Sequence, residues 1–192
     1  LNNCEGMANI SSIQIEDVNT RGNQVRVINN IYKECIKDNI RILKARDFYE
    51  NKNSSIDRLS GALVLDPKCG IHRGIVLVLD FKSLYPTIIN NYNLCYSTLK
   101  ETKSNTTREL SAAQNISFLN DNDTIYNFEY KEEGILPKIC KRMLSERDLI
   151  KKEMKKITEQ DPRYKILDSR QNALKVTANG IYGATGTNKG HL

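Results

Sequence analysis

The chain has 192 residues, 39% hydrophobic and 27% charged, and its Lys plus Arg exceed Asp plus Glu by 29 to 23, a net charge of +6. This composition excludes a disordered or fibrous chain and suffices for one moderate core or two small ones; the mild basicity favours a polyanionic partner such as nucleic acid or nucleotides, and equally fits an ordinary soluble basic protein. Cys4, Cys35, Cys69, Cys95 and Cys140 are scattered without a C-x-x-C pair and His72 and His191 stand alone, which argues against a disulfide scaffold or a zinc module.

In chain order, "QVRVINNIYKECIKDNI" sets Val25, Ile28, Tyr32, Cys35 and Ile36 at helical spacing, predicting an amphipathic helix over residues 22–39 with that face in the core. "SGALVLDPKCG" reads as a strand closed by Asp66-Pro67, and "GIVLVLD" as a second strand. The unbroken apolar run from Ile75 to Leu79 implies burial on both faces. Residues 100–123 are polar and read as irregular, and "TIYNFEY" alternates like an exposed strand. Pro137 sits near the start of a long helix that runs to the break at Asp161-Pro162, and a second helix closes at Gly183. The pair reads as a helical hairpin. No apolar run approaches the ~20 residues needed to cross a bilayer, and no signal peptide is visible. The chain opens without Met and stops at "GATGTNKGHL", so it reads as a piece of a longer protein.

The chemistry concentrates in two stretches. "LVLDFKSLYPTII" delivers Asp80 at the end of an apolar strand, either as a cap for the next helix or as an oxygen ligand for a hard divalent cation. Successive N–H groups in the following turn suit phosphate oxygens. Tyr85, with Pro86 fixing its backbone, is either packing or a ring that excludes a 2′-hydroxyl. Arg147 and Lys151 lie one turn apart along the margin of the stripe Ile139, Met143, Ile150, Met154 and Ile157, as snorkelling cations or as a clamp on a polyphosphate. Lys175, Asn179 and Tyr182 share a side of the last helix, where Ala178, Gly180, Gly183 and Ala184 leave room for something flat. Gly180 inside a helix costs ~1 kcal/mol relative to Ala, so a packing or functional reason is expected.

"DFKSLYPTII" resembles the first polymerase motif of B-family DNA polymerases (D-x-x-S-L-Y-P-S), and "KVTANGIYG" resembles the second (K-x-x-x-N-S-x-Y-G). "GILPKICKRMLSERDLIKK" between them resembles the family's first fingers helix, and "TRGNQVRVINNIYKE" and "GALVLDP" resemble the replicative, delta-like branch. The resemblance implies an α+β fold: a partial palm sheet with a long antiparallel helical hairpin, the fingers. Its implied division is a helical lead-in over 1–50, partial palm over 51–133, fingers over 134–187 and a truncated return to the palm over 188–192. It further implies that Asp80 and the Phe81 carbonyl hold Mg²⁺, with two ions in all and a second aspartate ligand outside this chain. Ser83 and Leu84 would offer N–H groups to the triphosphate, and Tyr85 would exclude ribose. Arg147, Lys151 and Lys175 would hold the phosphates, while Asn179 and Tyr182 would line the nascent base pair.

The implied activity is DNA-directed DNA polymerisation during replication, with primer-template DNA and deoxynucleoside triphosphates as partners, a processivity factor bound outside this region and no membrane. The implied location is the nucleus of a eukaryotic or virus-infected cell, with a cytoplasmic replication site as the alternative. An Asn-, Ile- and Lys-rich composition is compatible with an AT-rich viral genome. Two rivals stand beside this reading: a non-catalytic primer-template or nucleotide binder, and a polymerase that uses ribonucleotides. Thr87 and Gly180 depart from the motifs at positions where the family has Ser, and the third motif (Y-G-D-T-D-S) has no match, so the fragment alone is expected to be inactive.

Overall fold

A computed structural model describes residues 2–41, 64–103, 116–119 and 124–185. Six helices and a small sheet make up this part: α1 (Asn2–Ser11), α2 (Ile15–Thr20), α3 (Gly22–Lys37), α4 (Leu84–Asn91), β1 (Leu99–Lys103), β2 (Ile116–Leu119), β3 (Thr124–Phe128), α5 (Ile135–Met154) and α6 (Pro162–Thr185). Among the described residues no helix is long and apolar enough to cross a membrane.

Two long helices form where the sequence places them, but α5 ends at Met154, seven residues short of the expected break at Asp161-Pro162 and leaving Ile157 in the connecting turn, and α6 runs two residues past Gly183 to Thr185. Pro137 stands in the first turn of α5, where a missing N–H breaks no intrahelical bond. Pro162 is the first residue of α6, and the Asp161 carboxylate accepts the Arg163 backbone N–H at 2.9 Å, satisfying one of the free donors at the helix start. The Arg163 guanidinium and that N–H also hold the Asp161 carboxyl below the usual carboxylate range. The two helices pack on each other, and α1, α3 and α4 pack against them. Ile139, Cys140 and Met143 from α5 meet Leu174, Ala178 and Ile181 from α6 in the core. Burying side chains such as Met143 and Leu174 stabilises the fold by about 1.5–3 kcal/mol each. Cys140 lies fully inside this layer, and burial pushes its thiol up to about 12.

Helix α3 differs from its expected facing. Its buried residues are Val27, Asn30, Ile31, Glu34 and Cys35, whereas Tyr32 and Ile36 are exposed. The segment carries two overlapping apolar stripes, and a polar contact selects between them. Arg142 on α5 reaches Glu34 at 3.3 Å and the Asn30 amide oxygen at 3.4 Å. That pairing compensates the burial of the Glu34 carboxylate and turns this side of α3 inward.

The polar region read as irregular contains β1 and β2. They flank β3 in an antiparallel sheet of order β1-β3-β2, with Leu99 and Ile116 both opposite Phe128. The alternating strand over "TIYNFEY" is β3, the central strand. Asn93, at φ 49°, ties the loop after β3 to the chain following α4: its amide donates to the Glu129 and Glu132 carbonyls and its oxygen accepts the Gly134 N–H at 2.9 Å. Asn is among the non-Gly residues that enter the left-handed region most readily, and here its side chain is held by these three long-range bonds.

Among the described residues the two apolar runs expected as strands form none. Residues 64–81 have no strand pairing and bend at Gly70 and Gly74, and Leu77, Val78 and Leu79 are 79%, 90% and 91% exposed. A strand buried on both faces requires neighbouring strands and covering layers, and among the described residues none lies beside this run. The start of "SGALVLDPKCG", the boundary near residue 51 and the return over 188–192 lie outside the described residues.

Candidate functional site

The candidate residues fall on three elements: the turn between the extended segment and α4, the middle of α5, and the C-terminal half of α6. Ser83 adopts a left-handed conformation (φ 51°, ψ 58°) as the residue before α4, so the chain changes direction sharply between Asp80 and Tyr85. Thr87 closes the turn twice: its N–H bonds the Ser83 carbonyl at 3.0 Å and its hydroxyl donates to the Lys82 carbonyl at 2.9 Å. A serine would supply the same hydroxyl, which accounts for Thr87 as a mild departure. Pro86 is buried beneath this turn, leaving Leu84 and Tyr85 partly exposed on its outer side.

The first motif meets the second through aromatic rings. Tyr85 and Tyr182 stack with centroids 4.2 Å apart and planes within 4°. Such a stacked pair contributes about 0.5–1.5 kcal/mol beyond the area it buries. Both rings keep an accessible face, at 42% and 53% exposure. Asn179 and Lys175, three and seven residues before Tyr182 on α6, are exposed. Tyr96 adds a second tie near this end of α6, its hydroxyl donating to the Thr185 carbonyl at 3.4 Å.

On α5, Arg147 is half-buried and its Nε donates to Gln171 Oε1 at 3.1 Å; Gln171 in turn donates to Asp168 at 2.9 Å. The guanidinium is thereby turned towards α6. Lys151 is exposed one turn on. Between them Asp148 accepts a 2.8 Å ion pair from Lys82 of the first motif. That hydrogen bond, with the charges of Lys82, Lys151 and Arg147, holds the Asp148 carboxyl below the usual range. Neither Lys82 nor Asp148 stood out in the sequence; the available signal was an acid lodged between Arg147 and Lys151 in a lysine-rich helix.

The structure therefore joins Tyr85 to Tyr182 and, through Lys82, the first motif to α5. Among the described residues the side chains of Asp80, Lys151, Lys175 and Asn179 find no hydrogen-bond or ion-pair partner, and Phe81 is exposed beside Asp80. Among the described residues no group of three or more His, Cys, Asp or Glu gathers to hold a metal ion. Asp80 and the Phe81 carbonyl are nonetheless hard oxygen donors at an accessible position, the type Mg²⁺ takes as one or two protein ligands completed by substrate phosphates.

The space expected beside α6 is partly filled. Ala178 and Ala184 face the core, and the volume a Cβ at Gly180 would need is occupied by the Asn23 side chain from the first turn of α3. Gly180 thus has a packing reason. Gly183, next to Tyr182, faces open space.

The sequence model of DNA polymerase family B matches residues 13–192. The DNA polymerase delta catalytic subunit of Schizosaccharomyces pombe is 34% identical over 188 residues, covering 97% of this chain and 16% of that protein. That of Plasmodium falciparum is 35% identical over 191 residues, 96% of this chain and 16% of the protein. That of Bos taurus is 33% identical over 197 residues, 99% of this chain and 16% of the protein. These relatives are cellular, and the viral origin suggested by composition is not borne out by them. The solved structure of the family B DNA polymerase from the hyperthermophilic archaeon Pyrobaculum calidifontis superposes with a TM-score of 0.68 at 25% identity, over 99% of this chain and 23% of that one. The chain spans about one sixth of the length of the curated relatives it matches. With the family model running through both motifs and about one third identity along nearly the whole length, the chain belongs to DNA polymerase family B.

Proposed function

We propose that this chain is part of the catalytic core of a DNA-directed DNA polymerase acting in nuclear DNA replication. The observation that carries the reading is the Tyr85–Tyr182 stack, which brings the two motifs to one edge of the helical body with an open face on each ring. In this reading α5 and α6 are the fingers, and residues 64–81 form a palm strand that further polypeptide would pair and cover. Tyr85 lies against the sugar of the incoming deoxynucleotide and rejects a 2′-hydroxyl by contact, its tilt fixed by Tyr182. Arg147, Lys151 and Lys175 draw and orient the triphosphate, with the N–H groups of Ser83 and Leu84 as further donors. Asn179 and Tyr182 line the nascent pair, and base pairing itself reads the template. Asp80 and the Phe81 carbonyl would hold Mg²⁺, which when bound supplies charge neutralisation at the transferring phosphoryl group. The partners are primer-template DNA and deoxynucleoside triphosphates, with a processivity factor contacting other parts of the polypeptide.

The test is primer extension by the full-length parent. Asp80→Asn should abolish extension while primer-template binding persists, and unchanged extension would return the case to a non-catalytic binder. Tyr85→Ala should admit ribonucleotides; a ribonucleotide-to-deoxynucleotide preference that does not move removes the steric role.

A further inference from the structure

Residues 64–82 are exposed throughout, and among the described residues little holds them. Among the described residues, Lys82 makes the only side-chain hydrogen bond from this segment to a distant element, and its partner is Asp148 at 2.8 Å, 66 positions away. The other side-chain bonds of the segment are local, Cys69 to the Pro67 carbonyl and His72 with the Lys68 carbonyl. At the near end the Lys82 backbone is fixed by the Thr87 hydroxyl, so the lysine is an arm with an anchored base. At the far end, Asp148 sits on α5 directly beside Arg147 and three residues before Lys151. Arg147 is committed to Gln171, which leaves Lys82 as the cation bonded to Asp148. The arm bridges a cleft of about 260 Å³ whose walls include Ser83, Thr87, Lys141 and Ser145.

We propose that Lys82 and Asp148 are a positioning pair: they fix the turn carrying Asp80 and Tyr85 against the stretch of α5 carrying Arg147 and Lys151, and so set nucleotide affinity. This rests on the reading of Arg147 and Lys151 as phosphate-binding residues. The pair touches neither nucleotide nor primer; it keeps two groups that do at a constant separation. Its side chains are 71% and 44% exposed, so the restraint is modest and weakens with salt.

The experiment uses the full-length parent with Lys82→Met, Asp148→Asn and the charge-swapped double variant Lys82→Asp/Asp148→Lys. Either single change should raise the deoxynucleotide KM by about three- to fivefold, the range an exposed ion pair supports, with kcat moving less. The swap should bring KM back to within about twofold of the parent, and the differences should shrink at high salt. Hydrogen exchange at residues 82–87 should quicken in both single variants and recover in the swap, whether or not the enzyme turns over. Unaltered exchange overturns the proposal. So does a KM that falls in Asp148→Asn while rising in Lys82→Met, since Asp148 would then only screen the neighbouring cations. Loss of the polymerase reading is seen separately, as extension that survives Asp80→Asn.

Discussion

The helical body and the extended segment before α4 are comparably apolar, yet they end in opposite states. In α5 and α6 the apolar residues recur at helical spacing and each helix satisfies its own backbone, so packing against each other and against α3 and α4 is enough to bury Ile139, Met143, Leu174 and Ile181. In residues 75–79 the apolar residues are consecutive, and the same run is almost fully exposed. A strand of this kind completes itself only with backbone partners on its edges and layers on both faces. Burial here follows from what the geometry needs from elsewhere, more than from hydrophobicity.

The strongest way to break this comparison is to shave both regions. Met143→Ala or Leu174→Ala should cost about 2–5 kcal/mol in urea unfolding of the chain, whereas Leu77→Ala should stay within about 0.5 kcal/mol. In the full-length parent Leu77→Ala should approach the core value; equal, small effects in both contexts would show that the run is never covered. Next in size is Gly134→Ala at the start of α5. A Cβ there would stand 2.6 Å from the Cys95 Cβ and crowd Thr98 and Asn93, so about 1–3 kcal/mol of stability should be lost.

A smaller effect sharpens how α3 meets α6. Gly180→Ala gains helix propensity but must expel the Asn23 side chain, whose buried amide oxygen has no hydrogen-bond partner among the described residues. Alone it should be neutral or destabilising; with Asn23→Ala it should stabilise by up to about 1 kcal/mol, which a double-mutant cycle reads directly. The smallest effect concerns the strap to the extended segment. The Asp148 carboxyl is lowered in the folded chain by Lys82, so its contribution is present above the unfolded carboxylate range and is lost as pH falls through the depressed value. Because the pair is exposed, Asp148→Asn should flatten the acid limb of the stability profile by only a few tenths of a kcal/mol.

Helices were legible because their signals are local: the 3.6-residue period in α5, Pro137 in its first turn, and Asp161-Pro162 before α6. The facing of α3 was not, because its choice between two stripes is made by Arg142, over a hundred residues away. β1 and β2 escaped notice since "LKETK" lacks alternation, and what defines them is pairing with β3. Of the candidate site, Tyr85 and Tyr182 were named from the motifs, and the structure adds that they touch. Lys82 with Asp148, and Asn23 with Gly180, are each joined only by tertiary contact; the sequence marks Gly180 and the acid between Arg147 and Lys151, but not the partner of either.

The stacked tyrosines carry an optical consequence. The chain holds nine Tyr, four Phe and no Trp, so its ultraviolet emission and the long-wavelength part of its near-ultraviolet dichroism come mainly from phenol rings. Two parallel rings 4.2 Å apart have coupled transitions, unlike an isolated phenol. Difference dichroism against Tyr182→Leu would isolate that signal, giving a label-free gauge of whether the two motifs stay in register as conditions change.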